Sequence, residues 1–209
     1  MIPAETLALF FAASVALGVA PGPDNIFVLT QSALHGRLAG VLVTLGLCTG
    51  LIGHTAAVAL GVAAVFQTSA LAFTVLKLVG AAYLVYLALG AFRAGATELS
   101  TADAPTLVGR QLYVRGVIMN ITNPKVAVFF LAFLPQFADP AAGSLTVQML
   151  LFGLVFIVAT LLVFGAVAWT AGFLGEWLRG SARAQVVMNR VAGTVFLALA
   201  VRLAVSERS

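Results

Sequence analysis

The chain has 209 residues, of which 62% are hydrophobic and 9% are charged, and its formal net charge is +4. Soluble domains are typically about 25% charged, so this composition excludes a soluble globular protein. The eleven Lys and Arg residues lie mainly between apolar runs. Membrane topology explains that distribution, and we predict no nucleic-acid partner.

The apolar runs are long enough to cross a lipid bilayer as helices, which takes about 20 residues each. The candidate spans cover residues 4–33, 38–66, 69–91, 114–135, 145–171 and 187–205. We therefore predict an all-α membrane protein with about six transmembrane helices. Lys and Arg occur in the first, third and fifth links but not in the second and fourth. Short loops rich in these residues stay cytoplasmic, which predicts that both termini lie outside.

The first span is interrupted by Pro21, Gly22 and Pro23, which precede Asp24 and Asn25. A proline within a helix removes a backbone donor, but at the first position of a new helix it is favoured, with Gly22 as the preceding cap. We predict a helix end followed by a helix start inside the membrane; a simple kink is the alternative. Irregular backbone at that depth is stable only when it is buried in protein or faces a wet cavity.

The second and third spans contain two isolated titratable side chains. His54 is a candidate for proton coupling, although a single intramembrane histidine more often forms an interhelical hydrogen bond. Gly46 and Gly50 permit a close helix contact, which is either internal or the face of a homodimer. Lys77 lies near one end of the third span and either extends to the interface or lines a cavity.

A polar segment at residues 94–113, rich in Thr, Ala, Asp and Pro, separates three spans from three. This arrangement predicts a first three-helix repeat at 1–93, a cytoplasmic connecting loop at 94–113 and a second three-helix repeat at 114–209. Because each repeat has an odd number of spans, the second enters the membrane inverted relative to the first, as in many secondary transporters.

The fourth span carries a matching interruption at Asn123, Pro124 and Lys125, shortly after Asn120. Aligning the proline before Asp24 with Pro124 places Asp24 opposite Lys125. Two breaks at corresponding positions of the two halves indicate a binding site where the breaks meet. We predict broken helices at the first and fourth spans.

Asp24 and Lys125 lie within spans, where each charge costs about 2.5–3.5 kcal/mol at the helix centre. Either the two residues form a structural ion pair, or they flank a zwitterion, with Asp24 facing its ammonium and Lys125 its carboxylate. Backbone N–H groups at the starts of the two half-helices would add affinity for the carboxylate. Asp24 is also a candidate proton carrier. The predicted substrate-binding residues are Asp24, Lys125, Asn25, Asn120, Asn123 and Gly22, and the break residues are Pro21, Pro23 and Pro124.

Motifs for metal binding and for enzyme chemistry are missing from the sequence. Cys48 is the only cysteine and the two histidines are well separated, whereas soft-metal sites need clusters of these residues. The sequence has no HExxH, GxSxG or carboxylate cluster that would indicate an enzyme. We predict a non-enzymatic protein without a metal site or a cofactor.

Several sequence elements, in this order, resemble the LysE/RhtB family of amino-acid exporters. They are Pro-Gly-Pro-Asp-Asn at 21–25, His-Gly-Arg at 35–37, the run at 76–87, Asn-Pro-Lys at 123–125 and Leu-Pro-Gln-Phe at 134–137. The resemblance covers essentially the whole chain. It implies a multi-pass carrier of the bacterial inner membrane that exports amino acids or close derivatives, such as homoserine, threonine, leucine or lysine. It also implies proton antiport with alternating access. A metal-ion or other small-solute exporter of the same superfamily is the alternative.

Overall fold

The computed structural model describes residues 2–68, 70–95, 107 and 109–205, and within them it is helical with no strand. In chain order the helices of this part are α1 (Ala4–Val19), α2 (Pro23–His35), α3 (Arg37–Thr68), α4 (Ala70–Arg93), α5 (Gly109–Ile121), α6 (Pro124–Val128), α7 (Leu145–Gly180) and α8 (Ala182–Val205). A π-helical turn (Phe129–Phe133) and a 3-10 turn (Leu134–Phe137) continue α6. The predicted all-α membrane class is confirmed.

Both predicted interruptions are present as breaks between helices. α1 and α2 meet at a bend of 64°, and α5 meets α6 and its continuation at a bend of 49°. Three segments are long and apolar enough to cross a membrane unbroken: Arg37–Gly61, Leu145–Ala171 and Ala182–Val205. Counting each bent pair as one span gives up to five spans within the described residues. α4 occupies the position of the predicted third span, and the total of six stays a prediction.

Two predicted boundaries differ from the helix ends. Hydropathy predicts a link between 171 and 187, but α7 continues to Gly180 and α8 begins at Ala182. A helix can extend beyond its apolar stretch, and glycine is a frequent helix terminator. α5 begins at Gly109, inside the predicted loop at 94–113. Residues 96–106 and 108 of that loop, and 206–209 of the predicted second repeat, lie outside the described residues.

An aromatic core surrounds the segment that follows the second break. Phe10 of α1 is fully buried, and its ring centroid lies 5.8 Å from that of Phe129, 5.1 Å from that of Phe137 and 4.8 Å from that of Phe152. Aromatic side chains of this kind bury about 150–250 Å² each. The core therefore holds the middle of α1, α7 and the continuation of α6 together beside the second break.

Glycines bring α3 and α5 into backbone contact. A Cβ atom added at Gly46 would overlap the carbonyl oxygen of Tyr113, and one added at Gly116 would overlap that of Val43. A Cβ atom at Gly50 would press on the side chain of Asn120. Small residues allow such close approach between membrane helices. The contact predicted for Gly46 and Gly50 is therefore internal, and a homodimer stays a prediction without support from these two glycines.

Candidate functional site

A cavity of about 600 Å³ lies where the two breaks meet. The first break contributes Pro21, Gly22 and Pro23 to its wall, and α4 and α8 contribute further residues. The second break contributes Asn123, Pro124 and Lys125. The volume falls in the range of about 300–1,000 Å³ that is usual for small-molecule sites. The two interruptions, far apart in sequence, thus share one chamber.

The first break leaves the helical conformation for only a few residues. α1 ends at Val19, Gly22 is extended with φ −170° and ψ 176°, and Pro23 is the first residue of α2. Proline at this position loses no hydrogen bond, because the first N–H groups of a helix have no intrahelical partner. The predicted pairing of a glycine cap with a proline start is confirmed here.

Side chains bond the carbonyl groups that the end of α1 leaves free. The last four carbonyls of a helix have no intrahelical partner. Asn25 Nδ2 donates to the carbonyl oxygen of Gly18 at 2.7 Å. Lys125 Nζ donates to the carbonyl oxygens of Leu17 and Ala20, at 3.2 and 3.0 Å. One of these two donors therefore comes from the second half of the chain.

At the second break, the backbone groups next to the interruption form hydrogen bonds with residues only a few positions away. Asn123 is the residue before α6, and its Oδ1 accepts from the backbone N–H of Lys125 at 3.0 Å, which is the N-cap geometry. The N–H of Asn123 donates to the carbonyl oxygen of Asn120 at 3.1 Å. Thr122 Oγ1 donates to the carbonyl oxygen of Ile118 at 2.8 Å. The side chain of Asn123 therefore caps the start of α6.

Asp24 and Lys125 are both buried, with 4% and 8% of their surface exposed. Asn123 Nδ2 donates to Asp24 Oδ2 at 2.8 Å, so Asn123 contacts both charged residues. The two charges attract each other, but their hydrogen bonds go to other groups: the carboxylate bonds Asn123 and the ammonium bonds the carbonyls of α1. Lys125 lines the cavity, and Asp24 lies behind Asn123.

Several buried acceptors beside the breaks have no hydrogen-bond partner among the residues that the structure describes. They are Asp24 Oδ1, Asn25 Oδ1 and Asn120 Oδ1, and both polar atoms of the Gln31 amide share this condition. Gln31 lies on the buried face of α2 and is fully buried. A buried acceptor without a donor costs free energy. These oxygens are therefore suited to accept from a bound ammonium, a proton or water.

The other predicted site residues do not line this cavity. Asn25 lines a second, more apolar cavity of about 560 Å³ between the first break, α7 and α8. The backbone oxygen of Asn120 lies 3.2 Å from His54 Nε2, and its side chain faces Gly50. His54 therefore makes the interhelical contact that is common for such a residue. Lys77 lies on α4, outside the cavity wall that the described residues form.

Sequence reasoning assigned no site role to the residues of α4 and α8 that line the cavity. Tyr83, Tyr86, Gly90 and Arg93 line the cavity, as does Asn189. These four of the seven lining residues of α4 recur at the spacing of one helix face, and that periodicity is a signal that the sequence contains. Asn189 Nδ2 donates to two backbone carbonyls just after α4, at 3.2 and 3.4 Å, and so ties α8 to the end of α4.

The similarity to known proteins extends over most of the chain. The family model described as LysE type translocator matches residues 15–207. The homoserine/homoserine lactone efflux protein of Salmonella typhimurium is 36% identical over 192 residues, which cover 91% of this chain and 92% of that protein. An uncharacterized membrane protein of Vibrio cholerae is 31% identical over 194 residues, covering 93% of this chain and 94% of the relative.

A leucine efflux protein of Salmonella typhimurium is 26% identical over 196 residues, covering 93% of this chain and 92% of its own. No solved structure matches the chain. Among the described residues, no group of three or more His, Cys, Asp or Glu side chains is placed to hold a metal ion. The similarity to bacterial membrane proteins thus spans both breaks and the cavity between them.

Proposed function

The chain belongs to the LysE type translocator family, and from that premise we propose that it exports small amino acids or close derivatives across the bacterial inner membrane. Family membership makes it a membrane transporter rather than an enzyme. Relatives are named for the efflux of homoserine, homoserine lactone and leucine. These three compounds share an α-amino group and a short side chain, whereas the lactone has no free carboxylate. A common site therefore has to recognise the α-ammonium group together with the adjacent carbonyl oxygen, which belongs to a carboxylate in the amino acids and to an ester in the lactone.

The observation that carries the proposal is the cavity that both breaks line. It has at its wall a buried ammonium, that of Lys125, and behind Asn123 a buried carboxylate, that of Asp24. A zwitterion in this cavity satisfies both charges, with its carboxylate near Lys125 and its ammonium on the side of Asp24. Charges inside a membrane protein commonly mark a substrate or ion pathway. We assign substrate binding to this cavity.

Helix packing supports the inverted three-helix repeats at 1–93 and 114–209. α1 and α2 pack on α7, and α5 correspondingly packs on α3. α3 and α7 pack on each other, as do α4 and α8. Exchanging the two halves maps the contacts of α1 with α7, of α3 with α7 and of α4 with α8 onto contacts that are also present, as a two-fold relation between inverted repeats predicts. We propose that the halves rock about the cavity to give alternating access.

The distribution of positive charge supports an orientation with both termini outside and the loop at 94–113 in the cytoplasm. The cavity reaches Arg93 and Ala94, at the start of that loop, and Asn189 near the start of α8. In this orientation the cavity lies on the cytoplasmic side of the breaks. We therefore propose that the conformation is open inward, ready to receive a substrate for export.

Export is proposed to occur in exchange for protons, with Asp24 as the first candidate carrier and His54 as the second. The test uses proteoliposomes loaded with labelled homoserine, with and without an imposed pH difference. We expect efflux that depends on the pH difference and that Asp24→Asn abolishes, while Arg183→Met, at an exposed position outside the cavity, transports like the parent. Replacing His54 by Gln, which can keep a hydrogen bond to Asn120, tests the second carrier separately.

The outcomes of this test separate the parts of the proposal. Normal efflux from the Asp24→Asn protein would contradict the assignment of the site. Efflux that ignores the pH difference would contradict proton antiport alone. No transport of any amino acid from a panel that includes homoserine, threonine, leucine and lysine would contradict the proposed function itself.

A further inference from the structure

We propose that Lys125 occupies the ammonium site of the substrate while the protein is empty. Its ammonium then lies at the end of α1, and the ammonium of the amino acid replaces it there on binding. This inference rests on the proposed function and specifies its binding step. It assigns the ammonium site to the carbonyl oxygens of Leu17 and Ala20, with Asp24 as the counter-charge.

The main chain forms the centre of this site. The carbonyl oxygens of Leu17 and Ala20 accept from Lys125 Nζ at 3.2 and 3.0 Å. Both lie at the C-terminal end of α1, where the helix dipole places partial negative charge. The neighbouring carbonyl of Gly18 is bonded to Asn25, and Lys125, whose side chain lines the cavity, bonds the other two. Free carbonyls at the end of a broken helix are a recognised way to coordinate cations in transporters.

The lack of a side chain at Gly22 leaves room for the ammonium. A Cβ atom added at Gly22 would lie 3.3 Å from Lys125 Nζ, which is tighter than most contacts of such atoms. The backbone of Gly22 is extended, a conformation that any residue adopts. Space for a cation therefore explains a glycine at this position better than backbone geometry does.

In the empty protein only one of the two carboxylate oxygens of Asp24 accepts a hydrogen bond from the described residues. Its Oδ2 accepts from Asn123, and its Oδ1 is buried without a partner among the described residues. An ammonium has three N–H donors. Lys125 uses two of them on the carbonyls of α1, and its side chain limits where the third points. A free amino acid is not tethered, so its third N–H can turn towards Asp24 Oδ1.

The exchange of the two ammonium groups keeps the buried charges of the site balanced both with and without a substrate. The empty site contains one carboxylate and one ammonium, and the site with a bound zwitterion contains two of each. Neither state buries a single uncompensated charge, which is strongly unfavourable in a protein interior. After displacement, Lys125 still lines the cavity, where the carboxylate of the amino acid supplies its new partner. When the substrate leaves, Lys125 can return to the carbonyls of Leu17 and Ala20 and again balance the charge of the ionised Asp24.

The proposal makes an unusual prediction for ligands that have an ammonium but neither a carboxylate nor an ester carbonyl beside it. Such an amine has to displace Lys125 and offers it no partner in return, so the parent protein should bind it poorly. Lys125→Met leaves the carbonyls and Asp24 unfilled, and the amine then balances the charge by itself. A Lys125 that only binds the substrate carboxylate, or that only pairs with Asp24 for structure, predicts no such gain.

The experiment measures binding to purified protein by calorimetry, with homoserine and with 3-aminopropan-1-ol, which is homoserine without its carboxylate. We expect Lys125→Met to raise the affinity for 3-aminopropan-1-ol by about tenfold or more, and to lower the preference for homoserine over the amine by at least as much. The trimethylammonium analogue of this amine has the same charge but no N–H donor, so it should gain nothing. Arg183→Met serves as the control variant and should bind both ligands like the parent.

An unchanged or reduced affinity of Lys125→Met for 3-aminopropan-1-ol overturns the inference, and so does an equal gain for the trimethylammonium analogue. If the single variant does not fold, Asp24→Asn combined with Lys125→Met removes both buried charges. This double variant should bind the amine no better than the parent does, and a tenfold gain would overturn the role of Asp24. Failure of the parent to bind homoserine or any other amino acid would contradict the proposed function instead.

Discussion

The two breaks interrupt their spans in similar ways, but they bond their free backbone groups differently. At the first break, with a bend of 64°, carbonyls of α1 depend on two side chains, and one of these, Lys125, comes from the other half of the chain. At the second break, with a bend of 49°, Asn123 and Thr122 bond groups within a few residues of themselves. The first break therefore supplies acceptors at the end of α1, and the second break supplies donors to them and to Asp24 while it bonds its own backbone groups locally.

This difference predicts which substitutions at the breaks matter most. Asn123 is part of both arrangements, since it caps α6 and also bonds Asp24. Asn25 serves the first break only, and Gly22 acts only through the space that it leaves. A substitution should cost more as it removes more of the bonds that link the two halves.

The largest loss of stability is expected for Asn123→Ala. It removes the cap of α6 and leaves both oxygens of Asp24 without a donor among the described residues. We expect the free energy of unfolding to fall by about 2–4 kcal/mol. SDS titration of the purified protein in mixed micelles measures this change.

Thr122→Val is the matched control, because Thr122 lies next to Asn123 but is exposed and bonds only carbonyls of its own helix. The free energy of unfolding of Thr122→Val should fall by no more than about 0.5 kcal/mol. Equal losses for the two variants would show that the turn at the second break, and not its link to Asp24, determines stability.

A smaller loss is expected for Asn25→Ala. The carbonyl of Gly18 loses its donor at the end of α1, and single hydrogen bonds of this kind contribute about 1 kcal/mol in membrane proteins. Ser14→Ala removes a bond of similar length, 2.8 Å, to the carbonyl of Phe10 inside α1. That carbonyl already accepts a hydrogen bond within the helix. The free energy of unfolding of the Ser14→Ala variant should therefore differ from that of the parent by less than about 0.5 kcal/mol in the same titration. A larger loss of stability for Ser14→Ala would contradict the prediction that carbonyls at the end of α1 depend on side-chain donors more than carbonyls inside the helix do.

The sequence predicts the two breaks well because their chemistry is local. A proline without an N–H, the glycine before Pro23 and the amide before Pro124 each favour a helix start at their own position, whatever the rest of the fold does. The capping bond of Asn123 follows from the same rule, since it spans only two residues. Charge and break at matching places in both halves also predict that Lys125 and the first break meet, and the shared cavity agrees.

The partners of the two charges could not be predicted, because they depend on distant backbone. The carbonyls of Leu17 and Ala20 are present whatever the side chains are, so no residue type marks them as acceptors for Lys125. The predicted span at 145–171 matches the apolar stretch Leu145–Ala171, but the extension of α7 to Gly180 could not be predicted, because hydropathy reports where the apolar stretch stops and not where helical hydrogen bonds end. Long-range packing decides both features.

The smallest structural change, Gly22→Ala, tests whether the space at the first break serves the ligand. The added methyl group would crowd Lys125 Nζ at 3.3 Å, and because Nζ is the end of a flexible side chain, we expect less than about 1 kcal/mol of lost stability. Any ammonium at the carbonyls of α1 meets the same methyl group, so the Kd for homoserine should rise by about three- to tenfold. Gly18→Ala is matched to it, since a Cβ atom there has only ordinary contacts with Val163 at 3.5 Å, and its Kd should stay within about twofold of the parent value. An unchanged Kd for Gly22→Ala would mean that the ligand binds elsewhere in the cavity, and that the difference between the two breaks concerns stability alone.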